Sequence, residues 1–156
     1  MKLRHGVGRP FRRYSLAAAA LLVVFGLSGC TDNENRRRLG VLEGDPVRHC
    51  QLTGVQPWEE IASAGTRHGI GFGGIAPTLV GLNWHLTGDA ATVATALRTC
   101  AVAAGWAIDR SSAGGAMFSA RKTFEGTWTA SLVVGVGQHA YQGKPAASVT
   151  IETDPV

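Results

Sequence analysis

A change of hydrophobic period at Gly105 constrains this chain more than any other feature. Before it, Val93, Leu97, Cys100, Ala101 and Ala104 recur at helical spacing, Asp89 is placed to cap the first turn, and Gly105 suits the position past the last. The spacing predicts a helix over 89–104. After Gly105 the period falls to two, and strands are expected over 106–109, 116–122, 127–136 and 147–153. In the third of these, Trp128, Ala130, Leu132, Val134 and Val136 share one side, and Thr129 and Ser131 take the other. The connections are short and turn-like, with Gly114-Gly115, Glu125-Gly126 and Gly143-Lys144-Pro145 among them. Short connections imply an antiparallel meander whose apolar face the helix covers.

Upstream, Val80, Leu82, Trp84 and Leu86 alternate with smaller or polar neighbours, so 79–86 reads as a further strand. Pro57-Trp58-Glu59-Glu60-Ile61 reads as the start of a short helix: proline suits the first helical position, and the glutamates suit the positive end of the helix dipole. The expected class is α+β, an antiparallel sheet of four to five strands packed on one main helix.

The N-terminal segment follows a different logic. Lys2, Arg4, Arg9, Arg12 and Arg13 form a positive start with no acidic residue, followed by an apolar run over 16–27. Twelve apolar residues fall short of the roughly 20 that a membrane-spanning helix needs, and they match the apolar region of a signal peptide. The run closes on Leu27-Ser28-Gly29-Cys30. That tetrad resembles the lipobox of bacterial lipoproteins. The resemblance implies that residues 1–29 are removed, that Cys30 carries a diacylglycerol on its sulfur, and that acyl chains hold the protein on the extracytoplasmic side of the cell membrane. Thr31 is not the aspartate that marks inner-membrane retention in that family. Phe11-Arg12-Arg13-Tyr14 also carries the paired arginines of a twin-arginine signal, although Ser15 stands where that family prefers an apolar residue, so both export routes stay open. The Ala, Gly, Arg and Val usage, with a helix, a Gly-Trp step and a strand meander, resembles small actinobacterial lipoproteins. This likeness transfers no site residues.

Removal of the signal segment changes the charge argument. The whole chain carries a formal +4, but the part from Cys30 onward keeps ten basic residues against eleven acidic ones. A nucleic-acid surface needs clustered positive charge, so no nucleic-acid partner is expected. Residues 30–47 are polar and contain Arg36-Arg37-Arg38, and they read as a flexible tether that either stays solvated or lies against anionic lipid. The globular domain is expected over 48–156. With Cys30 assigned to lipid by the resemblance, Cys50 and Cys100 remain as an even pair in an exported protein, the setting in which a disulfide forms; two separate buried thiols are the alternative.

Residues 69–74 match G-x-G-x-x-G by letter, but the motif works only between a strand and a helix N-terminus, and a proline and a strand follow here. His49, His68, His85 and His139 show no metal-ligand spacing, so neither a metal nor a cofactor is expected. Glu59 and Glu60 are adjacent and diverge on a helix, which argues against paired-carboxylate chemistry, and no G-x-S-x-G elbow appears after Cys30. The four tryptophans, Trp58, Trp84, Trp106 and Trp128, read as core packing. What remains is the outward side of the meander, where Ser119, Arg121, Thr129, Ser131, Thr150 and Glu152 are expected to project together, either as an ordinary solvated polar face or, alternatively, as a flat partner surface for an envelope protein, peptide or glycan. The functional expectation is a non-catalytic binding or scaffold protein anchored by lipid. The alternatives are an accessory subunit of a secretion or transport assembly and an extracytoplasmic enzyme.

Overall fold

A computed structural model describes residues 32–67, 75–137, 144–154 and 156. Cys30 and the rest of the signal segment, His68, the glycine-rich 69–74 and His139 lie outside the described residues. The described part is α+β. Helix α1 (32–43) leads through a 3-10 turn, Pro46–His49, to strand β1 (Val55–Ser63). A two-residue pair, β2 (Thr66–Arg67) and β3 (Ile75–Ala76), precedes β4 (Thr78–Leu86). Helix α2 (Ala90–Ala103) follows, and then β5 (Ala107–Ser111), β6 (Met117–Phe124), β7 (Trp128–Gly137) and β8 (Ala146–Thr153). Six strands form one antiparallel sheet in the order β1-β4-β8-β7-β6-β5.

The four C-terminal strands, β4 and α2 fall where the periodicity puts them. Asp89 caps α2 by accepting from the Thr92 backbone N–H at 2.8 Å, and Gly105 takes a positive φ of 86° just past its end. Glu125 and Gly126 both have positive φ, the geometry of the tight hairpin turn that joins β6 to β7. α2 lies across β7 and β8. Beneath the helices, Val93, Leu97 and Ala101 meet Ala130, Leu132, Val134, Val149 and Ile151 in a fully enclosed core.

Two expectations are overturned. The sheet has six strands because residues 57–61 are not helical: they belong to β1, which pairs with β4 from Val55↔Leu86 to Ser63↔Leu79. Local propensity yields to tertiary pairing here, since β4 buries Val80 and Leu82 and its backbone needs a neighbour on that side. Pro57 is tolerated because β1 is an edge strand, and the register slips between Pro57 and Glu59 in a bulge. Trp58 therefore does not face a helical core; it stacks on His85, ring centroids 4.8 Å apart.

The second difference lies in the segment expected to be a tether. From residue 32 it is an α-helix packed on the sheet, and the body begins there rather than at 48. Asn35, Leu39 and Leu42 repeat at i, i+4 and i+7, with Asn35 and Leu42 fully buried. Asn35 satisfies both ends of its amide: Nδ2 donates to the Gly65 carbonyl at 2.9 Å, and Oδ1 accepts from the Val156 N–H at 3.1 Å. The Arg38 guanidinium lies 5.1 Å over Trp128. Two of the three arginines that suggested a solvated spacer, Arg37 and Arg38, are engaged with the protein's own Glu34, Glu125 and Trp128.

Candidate binding face

Both helices pack on one side of the sheet, so the opposite side is where the described residues leave strand backbone without a covering element. The registers set out its rows. One runs Ile61–Gly81–Thr150–Val133–Ser119–Arg110 across all six strands. The next runs Ser63–Leu79–Glu152–Ser131–Arg121–Ala107. A third runs Glu59–Asn83–Ser148–Gly135–Met117. Beyond the second row Thr129 pairs with Thr123, their hydroxyls 3.4 Å apart. Ser119, Arg121, Thr129, Ser131, Thr150 and Glu152 thus share one face of β6, β7 and β8.

Composition alone did not reveal the apolar component. Ile61, Met117 and Val133 are 43%, 58% and 44% exposed, and all three lie on this same face. A depression of about 280 Å³ opens beside Arg110, Met117, Ser119 and Val133. The charged positions are asymmetric. Arg121 pairs with Asp109 at 2.9 Å while remaining well exposed, whereas Glu152 has no ion-pair partner among the described residues. The face is small-residued, open and mixed, which suits a broad flat contact.

The free sheet edges are less suited to a partner. β1 carries Pro57, a bulge and the pair Glu59 and Glu60; β5 is bulged between Ile108 and Arg110 around Asp109. Prolines, bulges and charges are the devices that stop another strand from adding.

A second depression, about 400 Å³, lies at the β1 end and is lined by Arg48, Trp58, Glu60, Asn83 and Trp84 among others. Arg48 of the 3-10 turn is ion-paired with Glu60 there. His85 leans on Trp58, and its Nδ1 is buried without a hydrogen-bond partner among the described residues. His49 is exposed on the 3-10 turn. No group of three or more His, Cys, Asp or Glu gathers into a metal-binding cluster among the described residues.

Two side-chain clusters fix the helices under this sheet. Asp45, almost wholly buried, accepts from the Val47 N–H at 2.9 Å, the Trp106 indole N–H at 3.1 Å and the Lys122 ammonium at 2.6 Å. At the other cluster, Cys50 after the 3-10 turn and Cys100 of α2 lie at disulfide distance, with Cα atoms 6.1 Å apart. At the helix surface Arg37 and Arg38 hold the Glu34 carboxyl down at about 2, and Arg37, followed by the Trp128 indole N–H, lowers that of Glu125.

No family model, curated protein or solved structure matches this chain. Among the described residues no helix is long and apolar enough to cross a membrane.

Proposed function

We propose that this protein is a lipid-anchored envelope protein facing the extracytoplasmic side, a non-catalytic module that meets a partner through the bare face of its sheet. The observation that carries the reading is that face: rows of Ser, Thr and Gly with Val133 and Met117 exposed among them, and the helices all on the other side. The blunted edges of β1 and β5 favour the face over strand addition. The lipobox-like Leu27-Ser28-Gly29-Cys30 supplies the anchor, and a disulfide between Cys50 and Cys100 fits an oxidising compartment.

The direct test follows labelled palmitate and partner together. The native protein and a Cys30→Ala form are compared for incorporated label, for membrane fractionation, and for proteins, peptides or glycans recovered by crosslinking. Label and membrane association confined to the native form, with a crosslinked partner, is the expected result. A fully soluble, unlabelled native protein contradicts the anchor. Turnover of a substrate panel with no partner recovered contradicts the binding role.

A further inference from the structure

We infer that the occupant of this sheet face is a second copy of the same chain, packed face to face about a twofold axis that runs along β7 between the two sheets. The inference rests on the face being a contact surface, as proposed above, and names what it contacts. β7 has β8 on one side and β6 on the other, so a twofold along it lays β6 of one copy over β8 of its partner and β5 over β4. Because that rotation leaves positions along the strand unchanged, every row of the face meets itself reversed.

The rows complement their own reversals. In the row Glu152–Ser131–Arg121, the serine lies at the axis and each arginine, paired with Asp109 in its own copy yet well exposed, faces the other copy's glutamate, which has no ion-pair partner among the described residues. In the row Gly81–Thr150–Val133–Ser119–Arg110, Val133 meets its own copy on the axis, Ser119 meets Thr150, and the long Arg110 lies over Gly81, which has no side chain. In the row Ser148–Gly135–Met117, the exposed Met117 faces Ser148, and glycine meets glycine at the axis. Charge pairs with opposite charge and large with small, using one patch twice, which an isologous contact requires. Sheets packed this way keep their strands within about 30° of one another at a spacing of about 10 Å, room for one valine from each side.

Size and membrane geometry agree. The three central strands overlap over about eight residues each, and the five residues of β5 lie over β4 on either flank, which at a spacing of about 4.8 Å and a rise of about 3.4 Å covers about 550 Å² per copy, near the lower bound for a specific interface. Anchoring confines both copies and raises their effective concentration, which offsets a small contact. A twofold along β7 also keeps equivalent ends together. The N-terminal part of α1, where Asn35 touches Gly65 and Val156 and Arg38 touches the Asp154 carbonyl, lies at the same end of the dimer in both copies. Two lipid anchors that precede these helices can then enter one bilayer.

The test uses the full-length protein in its own membrane. Val133→Cys, on the axis, is expected to give a covalent species of twice the mass with a short bis-maleimide that spans the gap of about 10 Å between the sheets, and Val102→Cys, exposed on α2, is expected to give none. Glu152→Lys sets like charges against each other at both symmetry-related contacts and is expected to cut the Val133→Cys dimer roughly tenfold. Adding Arg121→Glu to Glu152→Lys restores it. A dimer yield indifferent to charge reversal, or equal from Val102→Cys, overturns the proposal. A benzophenone amino acid at position 133 separates the remaining outcomes. A doubled mass supports the second copy. An adduct of another mass overturns it while leaving the face as a contact surface, and no adduct at all overturns both readings.

Discussion

Lys122 and Asp45 meet across 77 residues of sequence, Nζ 2.6 Å from Oδ2, and join the loop after α1 to the middle of β6. The ammonium also donates to the Ala104 carbonyl at 2.7 Å and lies 4.9 Å over the Phe124 ring. Asp45 in turn receives the Trp106 indole. One buried carboxylate therefore ties the 3-10 turn, the end of α2 and the sheet together.

Asp45→Ala removes the acceptor of three donors and strands a half-buried cation. Breaking one side of a buried, hydrogen-bonded pair costs about 3–5 kcal/mol. Chemical denaturation is expected to show that loss, with Trp106 fluorescence shifting as its N–H loses its partner. A change below about 1 kcal/mol would mean that water replaces the carboxylate at this site.

Leu42 tests whether the N-terminal helix belongs to the body. Its side chain is fully buried against the core, so Leu42→Ala is expected to cost about 2–5 kcal/mol in thermal or denaturant unfolding. A version starting at residue 48, the boundary expected from composition, should fail to fold, because Leu42, Asp45 and Val47 leave with it. Cooperative unfolding of that shortened chain at full stability would show that the helix is an ornament.

These two residues also mark the limit of what the sequence alone conveys. Residues 89–104 and strands β6, β7 and β8 are legible because each buries a regular apolar stripe against the same core, and the short β5 follows from its place between Gly105 and the Gly114-Gly115 turn. α1 is not, because its buried stripe contains Asn35, and its arginines read as solvent-facing until Glu34, Glu125 and Trp128 are beside them. Glu34 followed by Arg37 and Arg38 at i+3 and i+4 was the available helix signal. β1 misled for a different reason: Pro57-Trp58-Glu59-Glu60 has the grammar of a helix start, and only the unmet edge of β4 converts it to a strand. The polar residues of the candidate face were readable from alternation. The exposed Ile61, Met117 and Val133 and the paired order of rows required the register.

Cys50 and Cys100 give a redox prediction. If they are bonded, the bridge spans 50 residues, and the chain-entropy estimate for such a loop is about 4 kcal/mol. Reduction is expected to lower the melting temperature and slow the band on a denaturing gel, and Cys50→Ser with Cys100→Ser should reproduce the loss without reductant. Identical melting before and after reduction would show two independent thiols.

Glu34 and Glu125 predict an acid limit. Both carboxyls are held below their ordinary value of 4.5 in the fold, Glu34 at about 2, so protons bind preferentially to the unfolded chain. Their stabilising contribution is complete above about pH 4.5 and fades as the pH falls toward about 2. Trp128 fluorescence during acid titration reports it, since Glu125 and Arg38 both touch that ring. Glu125 is exposed and Glu34 partly so, and salt at about 1 M should weaken the effect. Arg37→Gln should move the transition to higher pH, and an unchanged acid transition in that variant would remove the ion pairs from the account.

Occupation of the open sheet face in the membrane can be read directly by chemical labelling. Single cysteines at Ser119, Ser131 and Thr150, with Val102→Cys on α2 as reference, are labelled by a membrane-impermeant maleimide in native envelopes and again after detergent extraction and dilution. Strong protection of positions 119, 131 and 150 is expected in the envelope, lost on dilution, with position 102 reactive throughout. Equal labelling of the face and of α2 in native envelopes would contradict it.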